Sequence, residues 1–199
     1  MPTLLTISVG RTAPLLVPAP DGGTRQVASA IHKTRVDTAL AVATLGVDGD
    51  EQADQSVHGG PDKAVYVYPA EHYPFWQTVR GQAGRPGPLP HGSLGENLTV
   101  SGLLEPAIWV GDRLRIGEVE LVVTQPRTPC YKFDAHLGFA WAGKMMVQSG
   151  YTGFHCAVVR PGRLAAGDEI DIVPGERAVS IDEAHRLKNR GATSRSFLE

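Results

Sequence analysis

Short apolar runs separated by glycine and proline set the pattern of this chain. Thr3–Val9 reads as a first strand, and Gln26–Lys33 leads into a short extended segment through Val36. Further strands are expected at Ala64–Tyr68, Asn97–Val100, Val119–Thr124 and Phe154–Arg160. Two segments repeat one motif. Gly111–Ile116 and Gly167–Ile172 each open on a Gly-Asp turn and continue as a strand with one apolar and one polar face. Helical spacing is expected at Glu71–Arg80, with Tyr73, Trp76 and Val79 on one side. It returns at Ser180–Lys188, where Ser180 and Glu183 form a capping box ahead of a thin stripe of Ile181, Ala184, His185 and Leu187.

The 23 glycines and 15 prolines fall mainly between the apolar runs, which favours strands and turns over long helices. Many short two-faced strands with few helices predict a mainly β fold, a closed or nearly closed barrel. Two long polar stretches, Gly46–Asp62 and Gly81–Gly95, interrupt it, and loops of that length are usually functional or disordered. The expected organisation is one β-barrel domain over residues 1–175. A short, partly mobile helical appendage follows over 176–199, where Gly191, Thr193 and Ser194 favour a loose end.

A length of 199 residues suits one sizeable core without disulfide staples. The formal net charge of −2 excludes a broad basic face for nucleic acid. No apolar stretch approaches the ~20 residues that span a bilayer. Met1–Gly10 lacks the basic start of an export signal, so a cytoplasmic setting with reduced thiols is expected.

Cys130 and Cys156 lie in different contexts. Cys130 follows a strand within Gln125-Pro126-Arg127-Thr128-Pro129-Cys130-Tyr131-Lys132. Two prolines stiffen that turn, and Arg127 and Lys132 supply the positive charge that favours thiolate, the form that attacks electrophiles and binds soft metals. A buried structural cysteine is the competing reading. Cys156 sits in an apolar strand pattern and is expected in the core. His58-Gly59-Gly60-Pro61-Asp62-Lys63 offers consecutive amides able to cradle an anion, with Lys63 opening the next strand. An ordinary Gly-Gly-Pro turn explains the same residues. No nucleotide fingerprint, phosphate loop, paired-histidine zinc motif or Gly-x-Ser-x-Gly elbow is present.

Together these segments resemble the MOSC domain family, named for the C-terminal domain of molybdenum-cofactor sulfurase, and within it the compact stand-alone bacterial YiiM type. The resemblance rests on Gly49–Asp54, His58–Ala64, Tyr68–Tyr73, Gly95–Leu98, Val110–Asp112 and Pro129–Lys132, and runs in order from about Thr3 to Val173. It implies a barrel like the β-barrel of pyruvate kinase, with a pocket cysteine that carries sulfur or ligates molybdenum. It further implies molybdenum cofactor (molybdopterin) binding and, at family level, pyridoxal phosphate binding. On this resemblance Cys130 is the molybdenum ligand, and Cys130, Arg127 and Lys33 are the catalytic group. His58, Gly59, Gly60, Lys63, Asn97, Arg127 and Lys132 then bind the cofactor.

The implied activity is reduction of small N-hydroxylated compounds such as N-hydroxylated base analogues. The alternative is a non-catalytic carrier of the cofactor, or of sulfur as a Cys130 persulfide. No flavin or iron–sulfur motif is present, so a separate electron-donor protein is expected as partner of a monomer or homodimer. The YiiM type usually ends in three helices, whereas this sequence has room for little more than one after Val173.

Overall fold

The computed structural model describes residues 1–53 and 59–190. In chain order its strands and helices are β1 (Thr3–Val9), β2 (Ala13–Pro18), β3 (Thr24–Ser29), β4 (Thr34–Val36), β5 (Leu40–Ala43) and β6 (Gly46–Val47). They continue with β7 (Val65–Pro69), α1 (Tyr73–Gln82), β8 (Leu98–Ser101), β9 (Arg113–Ile116) and β10 (Val119–Pro126). Then come α2 (Tyr131–Leu137), α3 (Ala142–Ser149), β11 (Phe154–Arg160), β12 (Gly162–Leu164), β13 (Ile170–Val173) and α4 (Ile181–Asn189).

Eight strands form one sheet in the order β13-β9-β10-β11-β7-β8-β1-β4, antiparallel except for β7 and β8. The two Gly-Asp segments prove to be neighbours, with Ile170 opposite Ile116 and Ile172 opposite Leu114. The fold is therefore mainly β, as expected. The expected closure is less complete. Among the described residues β1 and β13 do not pair as strands, and one isolated bridge, Thr3 to Glu169, joins that side. Backbone bonds from Leu4 N to Asp168 O and from Ile170 N to Pro2 O accompany it.

Alternation along the strands sorts side chains between two cores. One face carries an aliphatic core that includes Leu4, Ile7, Val65, Val67, Leu98, Leu114, Leu121 and Cys156. The other carries an aromatic cluster of Tyr66, Tyr68, Trp76 and Phe133 under α1, α2 and α3. The β7 sequence Val65-Tyr66-Val67-Tyr68 thus splits by residue, valines to one side and tyrosines to the other. All five β7 residues are buried, so this strand anchors both cores.

The terminal helix begins with the expected capping box. Ser180 Oγ accepts from Glu183 N at 3.2 Å, and Ser180 N donates to Glu183 Oε2 at 2.9 Å. Its stripe divides: Ile181 is fully buried in the aliphatic core, whereas Leu187 is exposed. His185 Nε2 lies 2.8 Å from Val147 O, tying α4 to α3.

Candidate functional site

A cavity of about 430 Å³ opens between the β10–α2 turn, the start of β7 and the residue 50–53 segment. Its wall includes Cys130, Arg127, Lys33, Lys63, Asn97 and Lys132, which stand in separate motifs of the sequence. Pairing between β10 and β11 is interrupted between Val123 and Gln125, next to the pocket. Such an irregularity re-aims the end of a strand. Pro126 ends β10, and Cys130 is the N-terminal flanking residue of α2, with extended backbone at φ −125°. Phe133 N donates to Cys130 O at 2.8 Å, so the first turn of α2 fixes the cysteine backbone.

Arg127 is the most constrained cation. Its guanidinium lies 4.8 Å from the Tyr66 ring centroid and 4.6 Å from that of Phe133. Nη1 donates to Leu94 O at 2.5 Å and to the Tyr66 hydroxyl at 3.3 Å. The Tyr66 hydroxyl donates in turn to Thr152 O at 2.7 Å, and burial pushes its pKa up. The charge is thus held in one orientation by two rings and two oxygens.

The Leu94 carbonyl is itself placed by Glu96. That fully buried carboxylate accepts from Gly92 N at 2.8 Å, Leu94 N at 3.0 Å and Thr99 Oγ1 at 2.8 Å, and from the Tyr73 hydroxyl. The end of the second long loop, from Gly92 to Leu94, is therefore folded around one acid.

Lys33 reaches the pocket but is paired. Its Nζ is 2.5 Å from Asp50 Oδ1, and both side chains are 7% exposed. Asp50 also accepts from Gly10 N at 2.7 Å and from Asn97 Nδ2 at 2.8 Å. Asn97 accepts from Tyr66 N through Oδ1 at 3.1 Å, so it braces β7 against the residue 50 segment. Lys132 Nζ donates to Ala28 O at 2.9 Å, spanning to the β2–β3 hairpin.

Gly59 and Gly60 do not reach the pocket wall. Gly60 has φ 88°, a value that favours glycine, and its N–H donates to Gln52 Oε1 at 3.1 Å. That amide is directed to a side chain of this protein, and the same turn leads to Lys63 in the pocket wall. His58 lies outside the described residues.

Sequence reasoning missed Asp50, Tyr66, Glu96 and Lys188 as parts of this site. Asp50 and Glu96 sit inside the family motifs, and each is an acid directly after a glycine, a local signal that could have marked them. Lys188 lines the pocket from α4, a position no local pattern reveals. Cys156, by contrast, is fully buried, and burial pushes its thiol pKa up. Neither cysteine is in a disulfide. Among the described residues no three His, Cys, Asp or Glu side chains gather as a metal-ligand set. No described helix is long and apolar enough to cross a membrane.

The chain is similar to known proteins in sequence and in fold. Residues 54–171 match the MOSC domain model. The chain is 38% identical to YiiM of Escherichia coli (strain K12) over 183 residues, covering 85% of this chain and 81% of that protein. It is 38% identical to YflK of Bacillus subtilis (strain 168) over 176 residues, covering 88% and 77%. A protein of Gibberella moniliformis (strain M3125 / FGSC 7600) named "Reductase" is 32% identical over 169 residues, which is 82% of this chain but 30% of that one. Among solved structures, YiiM from Geobacillus stearothermophilus superposes with a TM-score of 0.76 at 28% identity, covering 96% of this chain and 85% of that one. The motifs, the fold and these relatives agree that the chain belongs to the MOSC domain family.

Proposed function

We propose that this protein is a molybdenum-cofactor-dependent oxidoreductase that reduces N-hydroxylated compounds, with Cys130 as the ligand to molybdenum. The observation that carries the proposal is a cysteine in the wall of a 430 Å³ cavity that also presents Arg127, Lys63, Lys132 and Lys188. The donor chemistry fits the cofactor: a thiolate suits a soft metal, and guanidinium and ammonium groups suit a phosphate ester. When bound, the cofactor supplies the two-electron chemistry that cleaves an N–O bond.

The chain's own residues bind and orient. Arg127, held between Tyr66 and Phe133, directs a fixed charge at an anionic group. Lys132 is tethered to Ala28 O, and Lys188 extends from a helix whose first residue is anchored in the core. Pro126 and Pro129 limit the directions available to the Cys130 thiol. Reduction of an N–OH group consumes two electrons and two protons and releases water, so a separate donor protein completes the cycle. Within this reading the eight-stranded sheet and its Thr3–Glu169 bridge serve as the barrel of the family. A thiol that must remain reduced suits the cytoplasm.

The test is turnover. Protein purified from cells that make the cofactor is given an N-hydroxylated purine and an artificial low-potential reductant. The expected result is the corresponding amine, formed only by the molybdenum-containing fraction. Stoichiometric molybdenum without amine would replace the enzyme with a carrier of the cofactor.

A further inference from the structure

One of the pocket cations, Lys33, stands against a buried acid. Asp50 is a buried carboxylate in the wall of the cavity and lies outside the set of cofactor-binding residues. A carboxylate has about four lone-pair positions. Oδ1 uses two, for Lys33 Nζ and Gly10 N, and Oδ2 uses one, for Asn97 Nδ2. Among the described residues, one acceptor position on Oδ2 therefore remains, on a residue that lines the pocket. Among the same residues Lys33 commits one of its three N–H bonds, that to Asp50. The pair presents a donor and an acceptor side by side, with no net charge.

An unpaired lysine would attract phosphate, whereas a lysine 2.5 Å from a carboxylate does so weakly, since the two fields cancel beyond a few ångströms. What such a pair does recognise is a group with its own adjacent donor and acceptor. We propose that Lys33 and Asp50 form the specificity-determining contact for substrate, a buried net-neutral pair that receives the uncharged N–OH and N–H groups of an amidoxime or hydroxylamine. The anionic part of any ligand is left to Arg127. This inference rests on the reading of the pocket as a site for N-hydroxylated compounds, and it assigns the end of the pocket that takes the substrate.

Three variants of the full chain test it: Asp50→Asn, Lys33→Met and the double variant. Binding of acetamidoxime, a neutral probe, and of inorganic phosphate, an anionic one, is followed by calorimetry. Both single variants should bind acetamidoxime about tenfold more weakly, as loss of a matched polar contact does. Phosphate should respond with opposite signs. Asp50→Asn exposes the Lys33 charge and should raise phosphate affinity about tenfold, Lys33→Met should lower it, and the double variant should return to the wild-type value. A merely structural ion pair would shift phosphate affinity through its charges but leave acetamidoxime affinity unchanged in both single variants.

Asp50→Asn also turns an amide N–H₂ toward either Asn97 Nδ2 or Lys33, so its melting temperature is recorded alongside. If that variant does not fold, Lys33→Met still decides the matter through its acetamidoxime affinity. Unchanged acetamidoxime binding in Asp50→Asn and Lys33→Met, with the wild type binding it, would overturn the inference alone. A wild type that binds no acetamidoxime would overturn the reading beneath it as well.

Discussion

Replacing Glu96 with alanine should loosen the end of the second long loop and release Arg127, although residue 96 lies behind the pocket wall. Four donors lose their acceptor at once: the amides of Gly92 and Leu94 and the hydroxyls of Thr99 and Tyr73. Each buried donor left without a partner costs about 1–3 kcal/mol. Water entering the space left by the side chain recovers part of this, leaving a loss of about 4 kcal/mol. For a domain of this size that corresponds to a fall of roughly 8–16 °C in Tm. Urea unfolding should show a lower midpoint with an unchanged slope. Leu94 O, no longer positioned, should cease to hold Arg127, so phosphate affinity should fall as well. Glu96→Gln keeps one acceptor oxygen and should lose about half as much stability. A loss below 1 kcal/mol in Glu96→Ala would refute the view that this acid organises the loop.

Three further outcomes are expected. A thiol reagent should label one cysteine of the folded protein, and Cys130→Ala but not Cys156→Ala should abolish that labelling, because burial keeps the Cys156 thiol protonated. Labelling that survives in Cys130→Ala would contradict this. The His136 pKa is lowered from 6.5 to about 4 by burial, with His32, Arg127 and Arg80 adding to the effect. Its contribution to stability is complete above pH 6.5 and is lost as pH falls from there toward 4, by about 1 kcal/mol per pH unit. His136→Gln should flatten that part of the stability–pH curve, and an unchanged slope would count against it. Ile181→Ala should cost about 2–5 kcal/mol in urea unfolding, whereas Leu187→Ala should cost less than about 0.5, since only Ile181 is packed in the core. Equal effects would show that α4 does not dock through its first turn.

Strands with a clear apolar pattern are legible in the sequence. β1 and β11 fall on the expected residues, and β7, β8 and β10 within two residues of them. The β2–β3 hairpin is not legible, because Pro14 and Pro18 break up its sequence. Prolines are tolerated there because the two strands form a separate two-stranded sheet, with Pro14 and Pro18 exposed while Leu15 and Val17 are buried. α2 and α3 are hidden for another reason. They are 7 and 8 residues long, too short for a helical period to stand out, and their buried residues face the aromatic cluster supplied by β7 and α1. In the site, Cys130, Arg127 and Lys63 are marked by local chemistry. Asp50 shows only that it follows a glycine and Lys188 shows nothing, because their importance comes from contacts across the fold: 17 residues separate Asp50 from Lys33. Lys188 meets the pocket because Ile181 and His185 anchor its helix.

The central claim is that Cys130 holds molybdenum in this pocket. It is tested most directly by measuring metal and pterin in wild-type protein and in Cys130→Ala, both purified from cells that make the cofactor. Elemental analysis should find stoichiometric molybdenum in the wild type and its loss in Cys130→Ala, with both proteins folded to the same melting temperature within a few degrees. Wild-type protein without molybdenum, or a Cys130→Ala variant that retains it in full, would contradict the account.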